Sequence, residues 1–89
     1  MSQYRIEVDR RVKKDLQSVP TQDLARIQSA ISDLANDPRP YGCKQLKGKN
    51  HEYLRIRVGD YRIIYTVRDQ ALLIVVIRVG HRREIYKKL

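Results

Sequence analysis

The C-terminal half of this chain contains three closely spaced strand patterns, and these constrain the fold more than any other feature. Apolar and polar residues alternate over positions 54–58 and again over positions 61–68, and residues 72–79 are almost continuously apolar. Alternation predicts half-buried β-strands, while a continuous apolar run predicts a central strand covered on both faces. Because the Gly59-Asp60 pair separates the first two patterns, it predicts a tight hairpin. The sequence therefore predicts an antiparallel sheet in this half.

The N-terminal half predicts one short strand followed by two helices. Residues 4–8 alternate as a strand. Asp9 is a suitable N-cap for a first helix, in which Val12, Leu16 and Val19 fall on one stripe. Residues 24–34 then place apolar side chains at spacings of three and four, which is typical of an amphipathic helix. This helix is expected to end near Asn36, because the following Asp-Pro pair disfavours helical geometry.

These elements define the predicted fold. Residues 37–50 contain Pro and Gly without periodicity, which predicts a long surface loop. The element order is therefore β-α-α-β-β-β, an α+β fold in which two N-terminal helices pack on a mostly antiparallel four-stranded sheet. With 89 residues, we expect one domain spanning residues 1–89, with a thin core and a shallow surface site. The pattern leaves open where the first strand lies in the sheet.

The charge of the chain is concentrated in its second half. Residues 1–43 carry 7 Lys and Arg against 6 Asp and Glu, whereas residues 44–89 carry 12 against 4. A merely solubilising surface would mix the two signs more evenly. Because concentrated like charges repel one another, the second half is expected to meet a polyanion: RNA, DNA, an acidic protein or a membrane surface. Nucleic acid is the partner that this asymmetry favours.

Several other classes of site find no support in the sequence. One cysteine, Cys43, allows neither an internal disulfide nor a thiol metal cluster. There is no Gly-rich phosphate loop, no paired His or Cys spacing and no acidic pair suited to a metal, so we expect no cofactor and no metal. The first residues lack the apolar stretch of a signal peptide, and the longest apolar run, residues 71–77, is too short to span a bilayer. We therefore expect a soluble cytoplasmic protein with no membrane partner.

Basic, aromatic and imidazole side chains near the sheet form the candidate site. Because side chains alternate along a strand, Arg55 and Arg57 are predicted to emerge on the exposed sheet face and to converge there with Arg62. The segment after Gly80 adds three candidates, His81, Arg82 and Tyr86. Arginine binds phosphate bidentately, tyrosine stacks on bases and histidine moves protons near neutral pH. This set predicts phosphodiester chemistry, whereas His51 is expected to be an ordinary surface residue.

Three stretches of the second half resemble a known family of toxins. They are LKG at residues 46–48, YLRIRVGDYRIIY at residues 53–65 and VGHRREIY at residues 79–86. Together they resemble the RelE toxin family, and the β-α-α-β-β-β order is similar as well. The YRIIY segment is shared with the gyrase-poisoning ParE toxins of the wider superfamily, so the GHRREIY ending is what favours RelE.

The resemblance implies a function and a set of site residues. It implies the toxin of a type II toxin–antitoxin system, which cuts messenger RNA in the ribosomal decoding site, inhibits translation and is silenced by a RelB-like antitoxin. It further implies that Arg62 holds the scissile phosphate, that Arg82 neutralises or protonates the leaving oxygen, and that Tyr86 stacks on a base or orients the attacking hydroxyl. His81 coincides with a histidine used in some relatives. The remaining basic residues expected to bind RNA are Lys44, Lys47, Lys49, Arg55, Arg83 and Lys87.

The chain departs from the family where relatives often carry two lysines, because it has Arg55 and Arg57 there. A lysine among cations can lose its proton and act as a base, whereas arginine stays charged. We therefore assign Arg55 and Arg57 to charge stabilisation, and proton transfer to His81 and Tyr86. The reaction is expected to be a metal-independent attack by the RNA 2′-hydroxyl. Two alternatives stay open: a ParE-like inhibitor of DNA gyrase without catalysis, and a protein that binds RNA without cutting it.

Overall fold

The computed structural model, which describes residues 3–50 and 52–89, contains five strands and two α-helices in its described part. In chain order these are β1 (Arg5–Val8), α1 (Arg10–Gln17), α2 (Thr21–Asp33), β2 (Lys44–Gln45), β3 (Leu54–Val58), β4 (Tyr61–Arg68) and β5 (Leu73–His81). Short 3-10 helices lie at Gly48–Asn50, Asp69–Ala71 and Glu84–Lys88. The predicted α+β class, with two N-terminal helices on a mostly antiparallel sheet, is confirmed. Neither α-helix has the length and apolar character needed to cross a membrane.

The five strands form one sheet in the order β1-β5-β4-β3-β2. β1 runs parallel to β5, and all other neighbours are antiparallel. The prediction of four strands was wrong by one: β2 lies inside the stretch predicted as a loop and pairs with the start of β3. Two residues are too few to show an alternating pattern, so backbone pairing alone reveals this strand. β5 is an interior strand as expected, but the central position belongs to β4.

The helices begin where local chemistry favours them, and together they cover one face of the sheet. The Asp9 carboxylate accepts a hydrogen bond from the Arg11 backbone N–H at 2.9 Å, which confirms Asp9 as the N-cap of α1. α2 begins at Thr21 with Pro20 as its N-cap. The main core joins helix residues to sheet residues: Val12, Ile27 and Leu34 with Ile56, Ile63, Tyr65, Ile74, Val76 and Val79.

A β-bulge in β5 determines which of its side chains reach the core. Ile64 pairs with Arg78 and the next residue, Tyr65, pairs with Val76, so Ile77 has no partner across the strand. An extra residue shifts the alternation of the bulged strand by one position. Residues 76 and 79 therefore both face the core, although they are three positions apart. The consequence is that Arg78 and Gly80 lie on the other face.

That other face, opposite α1 and α2, is called here the open face, and the end of the chain covers part of it. Ile64 and Ile85 are both fully buried, yet neither belongs to the main core. A Cβ atom placed on Gly80 would lie 2.9 Å from Ile85 Cδ1 and 3.7 Å from Ile85 Cα. The 3-10 helix Glu84–Lys88 therefore packs directly on β5, whereas the sequence pattern predicted only a polar tail.

Candidate active site

The β3–β4 hairpin places two arginines side by side on the open face. Gly59 adopts a φ of 59°, which glycine accepts without a steric penalty, and only two residues separate β3 from β4. In the resulting register Arg57 pairs directly with Arg62. The Arg62 guanidinium donates hydrogen bonds to the carbonyl oxygens of Tyr61 at 3.2 Å and Gly59 at 3.4 Å. These two cations repel each other across the strands, which is a cost to folding unless an anion lies between them.

The C-terminal 3-10 helix passes next to this arginine pair. Gly80 pairs with Arg62 across β4 and β5, and Ile85 packs on Gly80. Because Gly80 has no side chain, the backbone of the helix can approach the sheet closely at this point. Tyr86 follows Ile85 and keeps 44% of its surface exposed. The tyrosine is therefore carried to the same end of the open face as Arg62.

Arg82 is tied to the hairpin by its backbone. Its N–H donates a hydrogen bond of 2.7 Å to the carbonyl oxygen of Asp60, in the hairpin loop. Arg82 itself is exposed, as is Arg83. The structure thus gathers four of the predicted site residues at one end of the sheet: Arg57, Arg62, Arg82 and Tyr86.

Arg55 lies on the open face as predicted, but it is not exposed. It pairs with Ile64 on one side and with Lys44 of β2 on the other, and its exposed fraction is 8%. The expectation of an exposed arginine was wrong because β2, which the sequence did not reveal, flanks this side. Within the described residues Arg55 forms neither a hydrogen bond nor an ion pair.

Other predicted residues lie elsewhere. His81 pairs with Tyr61, and the two rings meet edge to face with centroids 5.6 Å apart, on the sheet face that carries the helices. Lys47 and Lys49 are exposed in a loop closed by the Leu46 N–H and the Tyr53 carbonyl oxygen at 2.9 Å, at the far end of β3 from the arginine pair. Lys87 is exposed beside Tyr86 on the 3-10 helix. His51, expected at the surface, lies outside the described residues.

The predicted basic residues share one electrostatic property. In the part of the chain that the structure describes, ion pairs form at Arg5, Arg11, Arg26, Arg39, Arg78 and Lys88. None of these is a predicted site residue, so the cations from Lys44 to Lys87 assigned above carry uncompensated charge. Clustered uncompensated cations raise the local concentration of anions and guide them to the surface. Across residues 3–50 and 52–89, no group of three or more His, Cys, Asp or Glu side chains is arranged to hold a metal ion.

Asp15 of α1 lies at the outer edge of β5, beyond the last β1–β5 pair at Val76, where it can bind an arginine of the open face. The sequence reasoning missed this residue. Its side chain, 4% exposed, accepts hydrogen bonds from the Arg78 guanidinium at 2.9 and 2.8 Å and from the Val79 N–H at 3.0 Å. Lys88 Nζ lies 3.5 Å from the same carboxylate. Burial alone would raise the pKa of Asp15, but the hydrogen bonds from Arg78 and Val79 bring it below the usual value. The sequence did carry a signal for this burial, because Asp15 lies three residues after Val12, on the apolar stripe of α1.

Comparison with known proteins finds a matching family model and similar toxins. The family model described as the ParE toxin of type II toxin–antitoxin system, parDE, matches residues 6–86. The putative toxin RelE1 of Methanocaldococcus jannaschii is 31% identical over 87 residues, covering 94% of this chain and 96% of that protein. The toxin RelG of Mycobacterium tuberculosis is 30% identical over 86 residues, covering 96% and 98%.

A solved structure is similar in fold over nearly the whole chain. In the crystal structure of the toxin–antitoxin complex RelBE2 from Mycobacterium tuberculosis, one chain superposes with a TM-score of 0.79 at 28% identity. The similarity covers 90% of this chain and 99% of that chain.

Proposed function

Because this chain belongs to the family of type II toxin–antitoxin toxins that includes ParE and RelE, we propose that it is an endoribonuclease that cuts ribosome-bound messenger RNA. One observation carries the proposal. Arg57 and Arg62 face each other across β3 and β4, beside the segment that bears Tyr86, with no anion of the described chain to neutralise them. A phosphodiester fits between such cations, since arginine forks match phosphate oxygens and remain charged at all working pH values.

The two arginines act on the charge that develops at phosphorus. When the RNA 2′-oxygen attacks the adjacent phosphate, negative charge builds on the non-bridging oxygens. Arg62 is held by two backbone carbonyls, so its guanidinium is oriented before substrate binds. Preorganised donors of this kind stabilise the transition state more than the ground state.

The remaining steps are assigned to the segment after β5, residues 82–88, called here the tail. The 2′-hydroxyl gives its proton to water as the 2′-oxygen bonds to phosphorus. The bond from phosphorus to the 5′-oxygen breaks, and that oxygen takes a proton from water, leaving a 2′,3′-cyclic phosphate and a free 5′-hydroxyl. Tyr86 orients the attacking hydroxyl or stacks on the neighbouring base, and Arg82 neutralises the leaving 5′-oxygen. His81 emerges on the helix-bearing face, so we leave it out of the group that contacts the phosphate. Its part in proton transfer stays a prediction.

A cognate antitoxin is the second proposed partner. The related RelBE2 chain was solved in a toxin–antitoxin complex, and residues 44–89 of this chain carry most of its net positive charge. We expect an acidic, partly helical segment of a RelB-like antitoxin to cover the open face and the tail. Amide hydrogen exchange on the complex should show protection at residues 54–88. Protection confined to α1 and α2 would contradict this docking mode.

The proposed activity is tested by mapping message ends. After the protein is induced in a growing culture, primer extension should reveal new 5′ ends within codons occupying the ribosomal A site. The Arg62→Ala variant, expressed at the same level, serves as the control and should yield few such ends. Intact messages accompanied by a DNA-damage response would contradict ribosome-dependent cleavage.

The ParE description of the matching family model favours one alternative, an inhibitor of DNA gyrase. Such a protein acts by binding and needs no phenolic hydroxyl at the open face. The Tyr86→Phe variant separates the two functions, because it removes the hydroxyl and keeps the ring. A nuclease in which the Tyr86 hydroxyl orients the attacking group should lose toxicity with this change, whereas a gyrase inhibitor should remain fully toxic.

A further inference from the structure

A groove of about 420 Å³ lies along the outer edge of β3, beside the arginine pair. Its walls come from α2, from the turn that precedes β2, and from residues 55–57 of β3. The groove exists because β2 has two residues and pairs with only the first two of β3, which leaves the rest of that edge uncovered by a strand. Its volume lies within the range of small-molecule sites in proteins.

Arg55 makes the groove favourable for an anion. It lines the groove at 8% exposure and has no hydrogen-bond or ion-pair partner among residues 3–50 and 52–89. Lys44, which also lines the groove, pairs directly with Arg55 and is likewise without an ion pair in that part of the chain. No carboxylate of the described residues neutralises these two cations, and the Arg55 nitrogens are not among the fully buried polar atoms, so the guanidinium is accessible to an anionic ligand from the groove. Asp33 lies in the opposite wall but outside ion-pair distance of both cations.

The spacing of the cations matches an RNA strand. Arg55 and Arg57 are two positions apart on one strand and share a face, so their Cα atoms are separated by roughly 6.7 Å. This separation is comparable to that of successive phosphates in a nucleic-acid strand. If one phosphate lies between Arg57 and Arg62, the next lies within reach of Arg55 and Lys44.

Tyr41 supplies a surface for a base. It stands at the rim of the groove and is fully exposed, so both faces of its ring are free. A free aromatic face beside a phosphate-binding cation is the combination with which proteins hold single-stranded nucleotides. An acidic peptide would use the cations but would gain little from this ring.

We propose that the groove binds one nucleotide of the RNA substrate, next to the scissile phosphate. Arg55 and Lys44 contact its phosphate, and Tyr41 stacks on its base. The identification of the ligand as part of the RNA substrate rests on the proposed nuclease function. The ability to bind a single nucleotide does not, and it can be measured alone.

The binding experiment uses the full chain, labelled with nitrogen-15 and titrated with adenosine 5′-monophosphate or with inorganic phosphate. The nucleotide should shift the amide resonances of residues 41–45 and 54–57. Arg55→Met, which keeps the length of the stem, should weaken both ligands at least tenfold. Tyr41→Ala should weaken the nucleotide roughly 5- to 150-fold, the effect of losing one base–aromatic stack, and leave inorganic phosphate unchanged. Lys13→Gln on α1, an exposed cation far from β3 in the sequence, is the matched control and should change neither.

Three results would overturn the proposal. They are the absence of shifts at the groove with the nucleotide, equal weakening by Lys13→Gln, and shifts produced by a polyglutamate peptide but not by the nucleotide. The last result would make the groove a docking site for an acidic protein.

A cleavage assay on ribosome-bound message separates this proposal from the nuclease function. If the groove proposal and the nuclease function both hold, Tyr41→Ala raises KM and leaves kcat unchanged, because stacking of the base on Tyr41 stabilises the bound substrate and the transition state equally. If the wild-type chain cuts no RNA but binds the nucleotide as described, the groove stands as a nucleotide site and the nuclease function fails. If the chain cuts RNA and Tyr41→Ala leaves KM unchanged, the groove proposal fails alone.

Discussion

Replacing Arg62 with alanine should abolish most of the activity while leaving the fold intact. Arg62 donates hydrogen bonds to two backbone carbonyls and faces Arg57 directly, so its guanidinium is held on the open face beside the second arginine. Removing one preorganised donor from the transition state typically costs about 3–4 kcal/mol, and we expect cleavage to slow roughly 100- to 1000-fold. The loss should appear in kcat rather than in KM, because the stabilised charge develops during the reaction.

The same substitution should have little effect on stability. It removes two hydrogen bonds to backbone carbonyls, and it also removes the repulsion between Arg57 and Arg62, worth up to about 1 kcal/mol. We expect the free energy of unfolding, measured in urea, to change by less than about 1 kcal/mol. Arg68→Ala is the matched control, because Arg68 is an exposed residue on the same strand and face but at the other end of β4. It should cut ribosome-bound message at the wild-type rate.

Two outcomes would refute this reasoning. Near-normal cleavage by Arg62→Ala would show that the arginine pair does not hold the reacting phosphate. An equal loss of activity in Arg68→Ala would show that overall charge, rather than the local geometry, supports the reaction.

Three further predictions concern the supports of the site and its charge. Asp15→Asn should lower the free energy of unfolding by about 3 kcal/mol, because Arg78 then lacks its counter-ion in a mostly buried position. Since the folded-state pKa of Asp15 is lowered, its contribution is present above pH 4 or so and is lost as the pH falls through that pKa, which urea titrations below about pH 4 should show. Ile85→Ala should cost about 2–4 kcal/mol of stability and reduce cleavage, because the helix that carries Tyr86 loses its anchor on the sheet. Lys47→Gln should weaken RNA binding at all sequences and reduce the salt dependence of the binding constant by roughly one unit of slope.

Each of these predictions has a control and a contradicting result. Glu7→Gln, the control for Asp15→Asn, breaks an exposed ion pair with Arg5 and should leave stability unchanged. An equal loss of stability in both variants would show that burial of the Asp15–Arg78 pair does not explain the effect. Val8→Ala, the control for Ile85→Ala, removes an apolar side chain at a half-exposed position and should change stability by less than about 0.5 kcal/mol. Full activity in Ile85→Ala would show that the reaction does not depend on the tail. An unchanged salt slope in Lys47→Gln would place that lysine outside the RNA path.

Much of the architecture could be predicted from the sequence, because its signals are local. The two-residue Gly59-Asp60 connection determined the hairpin, and period-two alternation placed Arg57 and Arg62 on one face before the register was known. β2 escaped prediction because two residues carry no pattern. The position of β1, parallel to β5, depends on contacts that are distant in sequence and leave no local trace.

The finer geometry of the site was harder to predict for physical reasons. The unpaired Ile77 shifts the alternation of β5, so Gly80 lies on the open face with Arg62 and His81, the next residue, emerges on the opposite face. A nearly continuous apolar run hides such a shift, since both sets of alternating side chains are apolar and either set could face the core. The glycine at position 80 was the one visible signal that backbone packs closely there. The burial of Arg55 followed from β2 and was therefore missed with it.

The most direct test of the account is a single-atom change in the substrate. A message bound to ribosomes is prepared with one 2′-deoxynucleotide on the 5′ side of a mapped cleavage position. If the open face promotes attack by the 2′-hydroxyl, cleavage at that bond disappears while neighbouring bonds are still cut and end in cyclic phosphates. Cleavage of the modified bond at an unchanged rate would contradict the account.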